Sequence, residues 1–153
     1  MKKFTTLIFG VFFYISIFAD AISYADCGSS NVLVLSIDLT PCGREPCTVY
    51  KGRLATIYID FVAFERLDVG GVVIQGTFTG GRRLIPLPRN GGCAPLAPQC
   101  TIAAGETQNY FFTGTVPNEL QRGHMTVRWE LLDSRGAMFV CVEFPVIVAE
   151  TTH

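Results

Sequence analysis

The chain has 153 residues, with 12 basic and 13 acidic side chains and a formal net charge of −1. That balance excludes non-specific nucleic-acid binding and gives no electrostatic reason for a strongly acidic partner. Hydrophobic residues make up 49% of the chain and there are six cysteines, so one well-filled core and a defined redox compartment are the first expectations.

In chain order, the first element is MKKFTTLIFGVFFYISIFADAISYA. Lys2 and Lys3 precede an apolar run from Leu7 to Phe18, and Ser23-Tyr24-Ala25 offers a small-x-small pattern. This predicts a secretory signal peptide over residues 1–25, with cleavage before Asp26. The apolar run is short for a membrane span, and every later apolar run is interrupted by charge, Gly or Pro. Residues 26–153 are therefore expected to form one soluble, secreted domain.

All six cysteines (Cys27, Cys42, Cys47, Cys93, Cys100 and Cys141) fall in that domain, where an oxidising route favours disulfides. Sequence alone leaves the pairing open, but loop closure favours Cys42 with Cys47 and Cys93 with Cys100, which leaves Cys27 for Cys141. On chain entropy each small loop contributes roughly 2 kcal/mol and the long one about 5 kcal/mol. Pro41-Cys42-Gly43-Arg44-Glu45-Pro46-Cys47 is then expected to serve shape more than stability, by setting the register of the strand that follows.

Short β-prone runs separated by turn signals fill the rest. NVLVLSID (31–38) is followed by LATIYIDFVAF (54–64), in which Ala55, Ile57, Ile59 and Phe61 share one face. VVIQGTFTG (72–80) comes next. Arg82-Arg83-Leu84-Ile85-Pro86-Leu87-Pro88 then reads as a loop, and an apolar loop marks a binding mouth. QNYFFTGTV (108–116), MTVRWELLD (125–133) and AMFVCVEFPVIV (137–148) complete the set, with Asp133-Ser134-Arg135-Gly136 as a hairpin turn. About six or seven antiparallel strands with cysteines near both ends predict an all-β, immunoglobulin-like β-sandwich.

The inventory for catalysis is thin. His124 is the only histidine apart from His153, and it has no evident nucleophile or orienting acid nearby in sequence. Hydrolase, metalloprotease and phosphate-loop signatures are missing, and the cysteine spacings do not suit zinc. No enzyme activity, cofactor or metal is expected.

Certain residues recur here in a fixed order. They are Asp26-Cys27-Gly28-Ser29, Pro41-Cys42, Pro46-Cys47, Lys51-Gly52, Gly76, the Ile85-Pro86-Leu87-Pro88 stretch and Gly92-Cys93. Cys100, Val127-Arg128-Trp129-Glu130-Leu131, Asp133 and Cys141-Val142-Glu143-Phe144-Pro145-Val146 follow. This set resembles the ML lipid-recognition domain family over essentially all of 26–153. The resemblance implies a sandwich splayed to admit a lipid, and the disulfides Cys27–Cys141, Cys42–Cys47 and Cys93–Cys100. It also implies a non-enzymatic lipid-binding or transfer protein for a sterol, fatty acid or terpenoid.

Cavity-lining positions of the family fall on Ile57, Ile59, Phe61, Val127 and Trp129. Its mouth falls on Ile85, where the family places an aromatic gate, and on Leu120-Gln121, and the apolar proline loop adds Leu84 and Leu87 to the expected mouth. An aliphatic gate lacks the flat face that stacks on sterol rings, which favours a flexible acyl chain or terpenoid. Arg82 and Arg83 are the expected headgroup contacts, for a ligand carboxylate or for a membrane surface touched in transfer. A monomer is expected. The chain has no N-x-S/T sequon, which favours an extracellular over a lysosomal protein. The alternative is a lipid-sensing co-receptor or immune recognition module acting through its surface.

Overall fold

Each of the six alternating runs becomes a strand in the computed structural model, which describes residues 21–85 and 101–151. β1 (Ala25–Asp26) and β2 (Val32–Thr40) come first, then β3 (Cys47–Tyr50) and β4 (Leu54–Ala63). β5 (Leu67–Phe78) and β6 (Gly81–Ile85) form a hairpin. After β7 (Thr101–Ile102) come β8 (Thr107–Thr115), β9 (Gly123–Asp133) and β10 (Met138–Ala149). The described residues contain no helix.

A period of two drives the elements. β4 turns Ile57, Ile59, Phe61 and Ala63 inward, all buried, and Thr56, Tyr58 and Asp60 outward. β9 does the same with Met125, Val127, Trp129 and Leu131. Each such Ile, Leu or Phe contributes roughly 1.5–3 kcal/mol by leaving water. The inward faces of two sheets meet in one core. One sheet has the order β2-β4-β8. The other runs β1-β10-β9-β5-β6, with β3 beside β10 and β7 beside β5. All pairs are antiparallel except β3 with β10. The expected sandwich of two antiparallel sheets is the observed architecture.

The turn expected at 133–136 joins β9 to β10. The Asp133 carboxylate accepts the N–H groups of Arg135 and Ala137, both at 2.9 Å. Elsewhere the structure departs from the reading of the sequence. Gly81–Ile85, read as the start of a loop, is a strand paired with β5 from Phe78 to Ile74. The prolines that suggested a loop lie beyond the end of that strand. β1, β3 and β7 were not expected, because two to four residues are too few to display a period.

Cys42–Cys47 closes the small loop as expected. That loop carries the chain from β2 in one sheet to β3 in the other, so its tightness fixes where the chain crosses the sandwich. Cys47 enters opposite Val146 in the parallel ladder with β10. Cys27–Cys141 staples the N-terminal segment to β10, reinforced by the Cys27 N–H donating to the Cys141 carbonyl at 2.9 Å. Cys93 and Cys100 lie outside the described residues, as does Leu87.

Contacts also begin upstream of the boundary expected at Asp26. Ile22 is buried and its N–H donates to the Ile37 carbonyl at 2.9 Å, while the Tyr24 hydroxyl donates to the Val34 carbonyl at 3.2 Å. Among the described residues, no helix is long and apolar enough to cross a membrane.

Candidate ligand cavity

One end of the sandwich is hollow. A cavity of about 340 Å³ lies between the sheets, within the range of about 300–1,000 Å³ usual for small-molecule sites. Leu39 of β2, Ala55 and Ile57 of β4, and Phe112, Gly114 and Thr115 of β8 form one wall. The other wall is Val49 of β3, Ile74 of β5, Ile85 of β6, Met125, Val127 and Trp129 of β9, and Phe144 and Val146 of β10. Val116, Pro117 and Leu120, from the connection between β8 and β9, close one side.

Two glycines make room for this wall. A Cβ at Gly76 would stand 2.5 Å from Met125 Sδ, so only glycine lets Met125 lie across β5. A Cβ at Gly114 would stand 2.8 Å from the Phe112 ring, which folds back over β8 along the cavity. The Phe112 and Trp129 rings face each other across the sheets with centroids 5.7 Å apart.

Among the described residues, no charged side chain lines the cavity, and the polar side chains in its wall are the Thr115 hydroxyl and the Trp129 indole. Such a wall can take up hydrocarbon by the hydrophobic effect. No cluster of metal-binding side chains occurs among the described residues. His124 sits exposed on β9, outside the cavity.

Of the residues singled out by sequence, Ile57, Ile85, Leu120, Val127 and Trp129 come together in the cavity wall. Ile59 and Phe61 do not: they are fully buried farther along β4, where Phe61 packs on Phe139 with ring centroids 6.1 Å apart. Leu84 points the other way from Ile85, because neighbours on a strand alternate, and it is 65% exposed. Arg82 and Arg83 are exposed on β6. Arg83 Nη1 donates to the Glu119 carbonyl at 2.9 Å, tying β6 to the segment that carries Leu120. Sequence reasoning missed Leu39, Val49, Ile74, Met125, Phe144 and Val146. Their signal was the inward alternation itself, which marks many more positions than the cavity uses.

Next to the cavity, burial pushes the Tyr110 phenol well above its ordinary value, and the neighbouring Trp129 indole opposes the shift only in part. At the other end of the sandwich, burial would raise the Asp26 carboxyl. The Ser29 and Gly28 N–H groups, bonded to it at 2.8 and 2.9 Å, outweigh that and hold it below its ordinary value.

The profile of the ML domain family matches residues 21–148. The chain is 30% identical over 128 residues to a zebrafish (Danio rerio) protein named NPC intracellular cholesterol transporter 2, covering 84% of this chain and 85% of that one. It is 24% identical over 120 residues to the mite group 2 allergen Lep d 2 of Lepidoglyphus destructor, covering 78% and 82%. Among solved structures, a Niemann-Pick type C2 protein from Japanese carpenter ant superposes with a TM-score of 0.72 at 18% identity, covering 83% of this chain and 99% of that one.

Proposed function

The chain belongs to the ML domain family, and from that premise we propose that it is a secreted, non-enzymatic carrier. It encloses one small apolar ligand between its two sheets and passes it on unchanged. The observation that carries this reading is the cavity of about 340 Å³ with a wall free of charge, held between sheets that the chain staples with disulfides. Relatives named as cholesterol transporters point the same way.

An acyl chain of about sixteen methylenes gains roughly 13 kcal/mol gross on burial. Association and ordering consume part of it, leaving about 8–10 kcal/mol, a Kd in the micromolar to submicromolar range. Hydrocarbon burial is tolerant of shape, so selectivity is broad within a size class. Ile85 and Leu120 are aliphatic where a stacking face would suit a ring system, which favours a fatty acid or terpenoid over a sterol. Arg83, next to Leu120 through Glu119, has further N–H groups for a ligand carboxylate, and Arg82 extends the positive charge toward an anionic membrane surface. The protein acts as an extracellular monomer.

An N-terminal leader directs secretion. Because Ile22 and Tyr24 bond and pack against β2, we place the end of that leader ahead of Ile22 rather than at Asp26. The intact mass of the secreted protein should correspond to a chain that retains Ile22.

The deciding experiment is native mass spectrometry of the secreted protein, followed by organic extraction. One lipid per chain is the expected result. A protein that emerges empty, and stays empty when offered fatty acids and sterols, overturns the carrier reading. It would favour the second one, a recognition module. The outer face of the three-stranded sheet supports that alternative, since Tyr58 and Phe111 stand side by side on it at 43% and 48% exposure, with Leu33 and Leu35 also exposed on β2.

A further inference from the structure

Behind the cavity wall the core is not purely hydrocarbon. Trp129 is part of the wall, and the residue that follows Phe112 inward on the same face of β8 is Tyr110, which is fully buried. The two rings meet edge to face with centroids 6.3 Å apart. Neither the Trp129 Nε1–H nor the Tyr110 hydroxyl has a hydrogen-bond partner. Buried polar groups in native proteins are almost always paired, and two orphans in contact with each other at one place need a reason.

Hydrogen counting says what they lack. The indole offers one donor and no acceptor, and the phenol offers one donor and one acceptor. If the pair tightens so that Trp129 donates to the Tyr110 oxygen, the Tyr110 proton still needs an acceptor. If it does not tighten, both protons do. Ile57, Ile59 and Leu131, buried on the neighbouring inward positions, have apolar side chains that supply no acceptor. Among these described neighbours no side chain supplies that acceptor, and Trp129 borders the cavity through which one can enter.

We infer that Trp129 and Tyr110 form a polar end-stop that receives an acceptor oxygen at the leading end of the ligand. The preferred ligand class is then an apolar chain bearing a keto, ether, epoxide or hydroxyl oxygen at the end that goes in first. A plain hydrocarbon terminus would leave the pair unsatisfied. This rests on the carrier reading and narrows it: the mouth and walls accept any chain of suitable length, while the floor discriminates by terminal chemistry.

The test uses delipidated whole protein and two probes, a saturated fatty acid and the same acid with a keto group beside its terminal methyl. The keto acid should bind about threefold to tenfold more tightly, the worth of one net hydrogen bond. Tyr110→Phe, which leaves the Trp129 N–H as the single donor of the pair, should reduce that preference. Trp129 is the only tryptophan, so its fluorescence reports the floor directly, and the keto acid alone should shift its emission to the red. Equal or weaker binding of the keto acid by the unmodified protein, or a preference undiminished by Tyr110→Phe, would overturn the end-stop and leave the carrier reading intact. Failure of both acids to bind would remove the carrier reading and the end-stop together.

Discussion

Along β4, Phe61 and Ile59 are fully buried against other side chains, whereas Ile57 and Ala55, the next two residues on the same face, border the cavity. The same change occurs on four other strands. Ile37 gives way to Leu39 on β2, Tyr110 to Phe112 and Gly114 on β8, Leu131 to Trp129 and Val127 on β9, and Val142 to Phe144 and Val146 on β10. At the solid end, large side chains meet in pairs, such as Phe61 on Phe139, under the Cys27–Cys141 staple. At the hollow end, Ala55, Gly114, Val49 and Val127 are among the residues that line the space, and the one staple among the described residues is the short Cys42–Cys47 loop where the chain changes sheets. One apolar face thus does two jobs, and the boundary runs through Tyr110 and Trp129.

Truncation should separate the two ends most strongly. Phe61→Ala is expected to cost about 3–5 kcal/mol in denaturant unfolding, because it opens a new cavity in packed core. Ile57→Ala, which enlarges a space already present, should lose mainly the transfer term, roughly 1–2 kcal/mol. Equal costs would mean that the hollow end is as tightly supported as the solid one.

Enlargement should invert the pattern. Ile59→Phe overpacks the solid end and is expected to destabilise by about 1–3 kcal/mol while leaving ligand uptake intact. Val127→Phe projects into the cavity and should abolish uptake with a change in stability of about 1 kcal/mol or less. A Val127→Phe protein that folds and still binds a fatty acid would remove Val127 from the site.

A smaller effect is expected at the rim. Arg83→Ala removes the bond to Glu119 and a cation, and should weaken carboxylate ligands about threefold to tenfold while neutral alcohols of the same length bind as before. Equal loss for both would make Arg83 a structural tie alone.

The smallest effects are in pH. The folded Tyr110 phenol lies above its unfolded value, so the stability linked to its proton is fully present below about pH 10 and is lost as pH rises through the folded value. Tyr110→Phe should flatten that alkaline decline without lowering stability at neutral pH, since it removes an unpaired hydroxyl. The folded Asp26 carboxyl lies below its unfolded value of 3.8, so its contribution is present above that pH and lost as pH falls further. An acid limb that persists in Asp26→Asn would move its origin elsewhere.

Much of this molecule was legible in its residues. The period of two along 54–64 and 125–133 identified strands and their buried faces, because a side chain's face follows from backbone geometry alone. Loop closure pointed to Cys42–Cys47 for the same kind of local reason, and Cys27–Cys141 followed only as the pair left over. Gly81–Ile85 was misread because its strand character comes from pairing with β5, which no local pattern displays. Which inward residues line a cavity was also hidden: Ile59 and Ile57 are the same residue type on the same face, yet one is in solid core and the other borders a hollow. Alternation decides in from out within one strand. Whether the inside is filled depends on what stands opposite, on strands from distant parts of the chain, and only the packed sandwich brings those together.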